Sequence, residues 1–206
     1  MNTRALREYR DSLTLSAEQR EMLTGMLLGD AHLERRASGT VRLKVEHCVQ
    51  QNDYALWKHY CFRQWVLTPP QRKSKRHKLG SISENVWFNT IAHPQFCEWH
   101  SRFYQERRKT IPENLTLTPL ALALWFMDDG SRKSRECRGL YLNVQCFTQA
   151  EVERLQACLK CDLQITTTTR QQSDGLQIYI PSGEVSRFTE IVDDHMIASM
   201  RYKLSG

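Results

Sequence analysis

Apolar and polar positions along this chain follow two periods, one helical and one of two residues, and the switch between them occurs twice at matching places. The first helical run carries Leu23, Met26 and Leu27 at i, i+3, i+4 spacing and closes on Asp30, the pattern of a helix with one buried face. Ser16, followed three residues later by Gln19, predicts its start as a capping box. The second run is Leu122-Ala123-Leu124-Trp125-Phe126-Met127-Asp128-Asp129-Gly130. Thr118 suits its N-cap and Pro119 its first turn, so the helix should reach Met127 or Asp128. Laid on Leu23-Thr24-Gly25-Met26-Leu27-Leu28-Gly29-Asp30-Ala31, it sets Asp30 and Asp129 99 positions apart, close to half the chain.

The flanks keep the same register. Val41, Leu43 and Val45 alternate with Arg42, Lys44 and Glu46, and Leu140, Leu142 and Val144 alternate with Tyr141, Asn143 and Gln145. This period of two predicts strands with one buried and one open face. Glu46 lies 16 residues after Asp30 and Gln145 lies 16 after Asp129. Helices are expected over 53–66 and 148–163, the latter opened by the Thr148/Glu151 pair of a second capping box. Further strand and a last helix follow in each half, over 82–90 and 93–108 in one, and over 165–170, 176–180 and 182–197 in the other. The two halves close on lysines, Lys109 and Lys203. The expected fold is α+β, an αββαββα unit repeated, with halves 1–112 and 113–206 joined by a short segment at 112–118.

A carboxylate at a helix C-terminus opposes the macrodipole by about 0.3–1 kcal/mol, and two such helices packed together would add mutual repulsion. The same local rule broken twice marks Asp30 and Asp129 as candidates for function. A divalent cation relieves both penalties, and hard oxygen ligands suit Mg²⁺. Such a site can activate water and stabilise the leaving oxygen of a phosphodiester, and Lys109 and Lys203 are candidates for offsetting charge at the phosphates.

Composition supports a polyanionic partner. The 206 residues include 29 Lys+Arg against 23 Asp+Glu, a net charge of +6 with pI near 9.0. Hydrophobic residues at 40% and charged residues at 25% exclude a disordered, collagen-like or coiled-coil chain. The most apolar run, 120–127, is far short of a membrane span, and Glu8 and Asp11 argue against a transit peptide. Seven cysteines without framework spacing read as thiols of a reducing compartment. Cys158-Leu159-Lys160-Cys161 has no partner motif and is not read as a zinc site.

These residues carry a resemblance. The two motif runs, together with Trp65-Val66-Leu67-Thr68-Pro69-Pro70, Lys109-Thr110-Ile111-Pro112 and Tyr202-Lys203-Leu204, are similar to the LAGLIDADG homing endonucleases in their monomeric, double-motif form. The resemblance runs through nearly the whole chain. It implies motif helices packed at the centre, saddle-shaped antiparallel sheets along the DNA major groove, and cutting of both strands to leave 3′ overhangs. Carried over, Asp30 and Asp129 bind Mg²⁺, with Mn²⁺ able to replace it. Lys109 and Lys203 flank the scissile phosphates, and Glu46 and Gln145 organise water around the metals. The chain departs from the family pattern at Ala31, Leu124 and Asp128; Asp129 is taken as the ligand because it aligns with Asp30.

The open strand faces then become reading surfaces. Arg42 and Lys44 suit guanine edges, and Tyr141, Asn143, Thr166, Thr168, Arg170, Gln177 and Tyr179 supply the second half, around a Ser173-Asp174-Gly175 turn. Different residues in the two halves imply an asymmetric target. Arg72, Lys73, Lys75, Arg76, His77 and Lys78 are expected as a loop or hairpin tip against phosphates, with Arg132, Lys133, Arg135 and Arg138 as a second cluster. The expected protein is a monomeric, intracellular, double-stranded DNA endonuclease of an organelle or of a bacterial or phage cytoplasm. An RNA maturase acting on an intron and a cleavage-inactive DNA-binding regulator are the alternatives. Retention of both acids and both lysines favours the nuclease.

Overall fold

The structure, a computed structural model, describes residues 3–76, 82–134 and 138–204. Its elements run α1 (Arg4–Ser12), α2 (Ala17–Leu28), β1 (His32–Arg35), β2 (Val41–Cys48), α3 (Asn52–Cys61), β3 (Gln71–Arg76), β4 (Ile82–Asn89), α4 (Pro94–Phe103), β5 (Tyr104–Gln105), β6 (Arg108–Lys109), α5 (Pro119–Asp129), β7 (Gly130–Arg132), β8 (Leu140–Asn143), α6 (Gln149–Leu163), β9 (Thr168–Gln172), β10 (Gly175–Ile180) and α7 (Val185–Val192). From α2 to α4 and again from α5 to α7 the order is αββαββα, interrupted only by the β5–β6 ribbon. Each repeat builds one antiparallel four-stranded sheet, ordered β1-β2-β4-β3 and β7-β8-β10-β9.

The repeats and the compact units are not coextensive. One unit contains the residues up to Arg20 together with Asp30–His100; the other contains Glu21–Gly29 together with the residues from Ser101 on. In the first, Leu33, Val41, Leu43, Val45, Val86 and Phe88 on the inner sheet face meet Tyr54, Ala55 and Phe96 from the helices, all buried. Trp65 closes this core with its ring 5.1 Å from those of His93 and Phe96. In the second, Leu140, Leu142, Ile178 and Ile180 from the sheet and Val152, Leu155 and Leu159 from α6 are buried, and Phe126 of α5 packs edge-on to Phe188 of α7. Each fully buried large apolar side chain contributes about 1.5–3 kcal/mol.

The last two turns of α2 lie against α5 inside the second unit, and glycine makes the approach possible. A Cβ on Gly25 would stand 2.2 Å from the Ala121 carbonyl oxygen and 2.8 Å from Leu124 Cβ. One on Gly29 would stand 2.4 Å from Asp128 Cβ. The departures Leu124 and Asp128 in the second motif are therefore matched by the absence of a side chain on the facing turns of the first.

The expected helix starts are present. Ser16 Oγ accepts from Gln19 N and Gln19 Oε1 accepts from Ser16 N; Thr118 caps α5 through Ala121 N with Pro119 following; and Thr148 and Glu151 form the capping box of α6. Several ends differ. The helix expected over 53–66 stops at Cys61, and Arg63–Trp65 is a 3-10 turn that carries Trp65 into the core. The helix expected over 93–108 stops at Phe103, because Glu106 turns the chain with φ 55 so that β5 and β6 can pair. Ile165 is buried, but the strand expected from it begins at Thr168, since the left-handed Gln164, φ 57, first has to end α6. The helix expected over 182–197 is α7 between the 3-10 turns Ser182–Glu184 and Asp193–His195. Helix α1 has no buried residue and so left no apolar signature.

Glu151 does more than cap. Its carboxylate, on a residue 4% exposed, accepts from both terminal nitrogens of Arg108 at 2.7 and 3.0 Å, from Thr110 Oγ1 and from Ile111 N. Burial pushes its pKa up, but the hydrogen bonds from Arg108, Thr110 and Thr148 outweigh that and hold it well below the usual carboxylate range. A depressed carboxylate contributes stability that is complete above its unfolded pKa, about 4.3, and is lost as pH falls toward the native value. Glu151→Gln should therefore lower the melting temperature at pH 7, and the gap from the parent chain should narrow between pH 5 and pH 3 in parallel thermal melts.

Candidate active site

Both motif helices deliver an acid at a C-terminal end, and each end is met by a lysine. Asp30 sits in the turn after α2 with its side chain 46% exposed, while Asp129 is the last residue of α5 and Asp128 beside it is buried. Lys109 Nζ donates to the carbonyl oxygen of Gly29 at 2.8 Å. Lys203 Nζ donates to the carbonyl oxygens of Met127 and Asp128 at 2.6 and 2.9 Å. In both cases a carbonyl one residue before the motif acid is engaged. Lys109 is placed by β6, where it pairs with Tyr104, and Lys203 by the closing 3-10 turn Ala198–Lys203. An ammonium at the negative end of a helix satisfies orphan carbonyls and offsets the macrodipole. The penalty visible in the sequence is thus met by the two lysines that the sequence singled out.

The neighbours of the acids are one position further along than the 16-residue spacing indicates. On β2 the open face carries Arg42, Lys44 and Glu46, and the buried face carries Val45 and His47. It is His47 that approaches Asp30, with Nδ1 3.8 Å from Oδ2. Glu46 is held across the open face, accepting from Lys73 Nζ and Asn85 Nδ2 at 2.6 Å each. Burial raises its pKa, and these two hydrogen bonds bring it below the ordinary value. In the second repeat Cys146 has the matching sequence position, 17 residues after the motif acid, but it lies exposed in the turn after β8. Desolvation and the Asp129 charge push its thiol up while Lys109 pulls it down. Gln145 reaches Asn143 Oδ1 and Asp174 Oδ2 at 3.4 Å. The signal that could have revealed His47 was strand parity: a histidine on the buried face of a strand that follows an acid-terminated helix.

Across the first sheet, Arg42 pairs with Glu34 at 2.5 Å, and Glu34 is held below its ordinary pKa chiefly by that hydrogen bond. Of the basic stretch expected as a loop or hairpin tip, residues 72–76 lie in β3, the first strand of a hairpin whose backbone pairs with β4 throughout. Alternation then divides it. Lys73 lies opposite Asn85 on the open face with Glu46, whereas Arg72 and Arg76, opposite Val86 and Ile82, take the other face. Lys75 is opposite Ser83 in the same register as Lys73. A charged edge strand also discourages strand addition. His77, Lys78 and Arg135 lie outside the described residues.

On the second sheet Arg170, Gln177 and Asn143 form a row across three strands. Gln177 Nε2 donates to Asn143 Oδ1 at 2.7 Å, and Asn143 Nδ2 donates to the Asp129 carbonyl at 2.8 Å. This open face is thereby tied to the motif acid. Tyr179, expected to be open, is 8% exposed. The Lys133 ammonium and the Arg170 guanidinium cover its ring at 5.3 and 5.1 Å, and Tyr141 packs beside it. Tyr179 is thus a platform for two cations. Ser131, opposite Tyr141, is on the open face, and Arg132, opposite Leu140, is not. Arg138, just before β8, is exposed.

Comparison with known proteins agrees with this arrangement. The model of the LAGLIDADG DNA endonuclease family matches residues 20–188. Among curated proteins, the cytochrome b mRNA maturase bI2 of Debaryomyces hansenii is 31% identical, over 93% of this chain and 75% of its own length. The probable intron-encoded endonuclease 1 of Wickerhamomyces canadensis is 28% identical, over 98% and 91%. Among solved structures, the homing endonuclease I-WcaI bound to its DNA recognition sequence superposes with a TM-score of 0.93 at 27% identity, over 98% of this chain and 93% of its own. With two acid-ended, lysine-capped motif helices and two antiparallel four-stranded sheets, the chain belongs to the LAGLIDADG DNA endonuclease family.

Proposed function

We propose that this protein is a site-specific double-strand DNA endonuclease that hydrolyses one phosphodiester in each strand of a long asymmetric target. The observation that carries the reading is the duplicated helix end, an acid preceded by a carbonyl that holds a lysine, Gly29 with Lys109 and Asp128 with Lys203. A packing motif needs neither acid nor lysine at that place. Asp30 and Asp129 are the proposed ligands for Mg²⁺ or Mn²⁺. Carboxylate oxygens are the hard donors such ions take, and the Asp30 side chain is about half exposed, where an ion can reach it. When bound, the ion would lower the pKa of a water and stabilise the leaving oxygen. The chain's own groups orient and neutralise: Lys109 and Lys203 set positive charge beside the acids, and Asn143 holds the Asp129 backbone.

The differing sheet faces support an asymmetric target. Arg42, Lys44 and Lys73 on one face and Asn143, Arg170 and Gln177 on the other offer different donors to the major groove. The similarity to I-WcaI favours duplex DNA as partner and a single chain as the working unit. Incubating the protein with a randomised duplex library, with Mg²⁺ or with EDTA, and sequencing the cut ends should give metal-dependent cleavage at one long sequence. A second reading, assistance to intron RNA splicing, is favoured by the similarity to a cytochrome b mRNA maturase. Binding without cleavage in the library, followed by acceleration of intron splicing in vitro, would establish it instead.

A further inference from the structure

Behind the first motif acid, the core of the first unit contains a lysine. Lys58 projects inward from α3 and is fully buried. Its Nζ lies 3.0 Å from His47 Nε2 and 4.1 Å from the centre of the Tyr54 ring, which itself packs against the imidazole at 4.9 Å. The other imidazole nitrogen, Nδ1, faces two oxygens, Gln51 Oε1 at 3.2 Å and Asp30 Oδ2 at 3.8 Å. As an ammonium, with three donors and no acceptor, Lys58 requires His47 Nε2 to be the acceptor. A neutral imidazole then carries its proton on Nδ1, where both facing groups are acceptors. These contacts agree with one tautomer.

Burying a lysine is costly unless its surroundings compensate it. A methionine or leucine would fill the same space without that cost, which argues that the charge is kept for what it does to His47. We propose that Lys58 and His47 are positioning residues for Asp30: Lys58 fixes the Nδ1–H tautomer, and that N–H, bonded to Gln51 at 3.2 Å, presents a positive edge to the carboxylate 3.8 Å away and sets its working orientation. His47 is on this account a donor facing the acid and not a metal ligand. Among the described residues the second repeat lacks the device. Cys146, at the matching sequence position, lies exposed in the turn after β8, and the buried residues of α6 are Glu151, Val152, Leu155, Leu159 and Leu163, with no lysine among them. Only one of the two acids is supported in this manner, so its loss should be felt on one DNA strand.

The role at Asp30 rests on the nuclease reading, but the tautomer does not, and it is measured on metal-free protein without DNA. Long-range ¹H–¹⁵N spectra of histidine-labelled protein, with His47→Asn to identify the resonance, should show His47 protonated at Nδ1 alone, and Lys58→Met should abolish that preference. On the target recovered from the library, Lys58→Met should slow cutting of one strand by roughly 10- to 100-fold and of the other by less than about threefold, so that nicked plasmid accumulates. His47→Asn, whose amide can restore an N–H near the Nδ1 position, should cut that strand faster than His47→Leu, a comparison that stands even if Lys58→Met fails to fold. A proton on Nε2 in the parent protein would overturn the proposal. So would equal slowing of both strands in variants whose melting temperature and DNA binding are unchanged.

Discussion

Asp129→Asn is expected to abolish double-strand cutting, by roughly a thousandfold or more, while DNA affinity stays within about twofold of the parent chain. The substitution keeps the shape and removes the charge. Lys203 still finds the Met127 and Asp128 carbonyls, and Asn143 still finds that of residue 129, since all three contacts are to backbone. Removing a negative charge from a surface that meets phosphates cannot weaken binding electrostatically. Plasmid cleavage in Mg²⁺ and a mobility-shift titration in EDTA check the two halves of this statement. Asp128→Asn is the companion variant. Asp128 is buried over Gly29, so its loss should lower stability before it lowers the rate. Loss of cutting with Asp128→Asn and not with Asp129→Asn would move the ligand to Asp128.

Gly25→Ala should produce the largest loss of stability of any single-methyl addition in the motif helices. The new carbon would lie 2.2 Å from a backbone oxygen, Ala121 O, and 2.8 Å from Leu124 Cβ, and neither can rotate away as the tip of a side chain could. The helices must separate, which costs about 3 kcal/mol and lowers the melting temperature by roughly 6–12 °C for a chain of this size. Gly183→Ala is the control, because nothing lies within 4 Å of its added carbon; it should change stability by less than about 0.5 kcal/mol. Equally small changes in the two variants would mean that a methyl is tolerated at position 25 and that close approach does not require glycine there.

Much of this fold was readable without coordinates, for physical reasons that also mark where reading stopped. Alternation at Val41, Leu43 and Val45 and at Leu140, Leu142 and Val144 places an apolar face against the helices, and those residues are buried. Caps at Ser16, Thr118 and Thr148 are local chemistry, and local chemistry is legible. The lysine at each helix end was legible only through duplication, since one Lys109 among arginines carries no message. What escaped depended on tertiary pairing. The basic 72–76 stretch reads as a loop or hairpin tip by composition, and its strand exists because β4 lies beside it. Tyr179 reads as open by parity, yet Lys133 and Arg170 from neighbouring segments cover it. His47 and Lys58 are separated by a turn and look like an unremarkable polar pair until α3 is folded against β2.

The distribution of the first motif helix has a consequence for how the chain reaches this state. Glu21–Gly29 belongs to the second compact unit, and the whole of Asp30–His100 intervenes before that unit resumes. The first sheet can be completed from neighbouring sequence while synthesis is still under way. The second unit needs a segment made near the beginning and another made about a hundred residues later, and the entropy of closing that long loop must be met before α2 can pack on α5. Ordering of the acid-bearing end of the first helix is thereby postponed until α5 has been made, so a chain not yet synthesised that far carries its first acid on a helix whose partner does not yet exist.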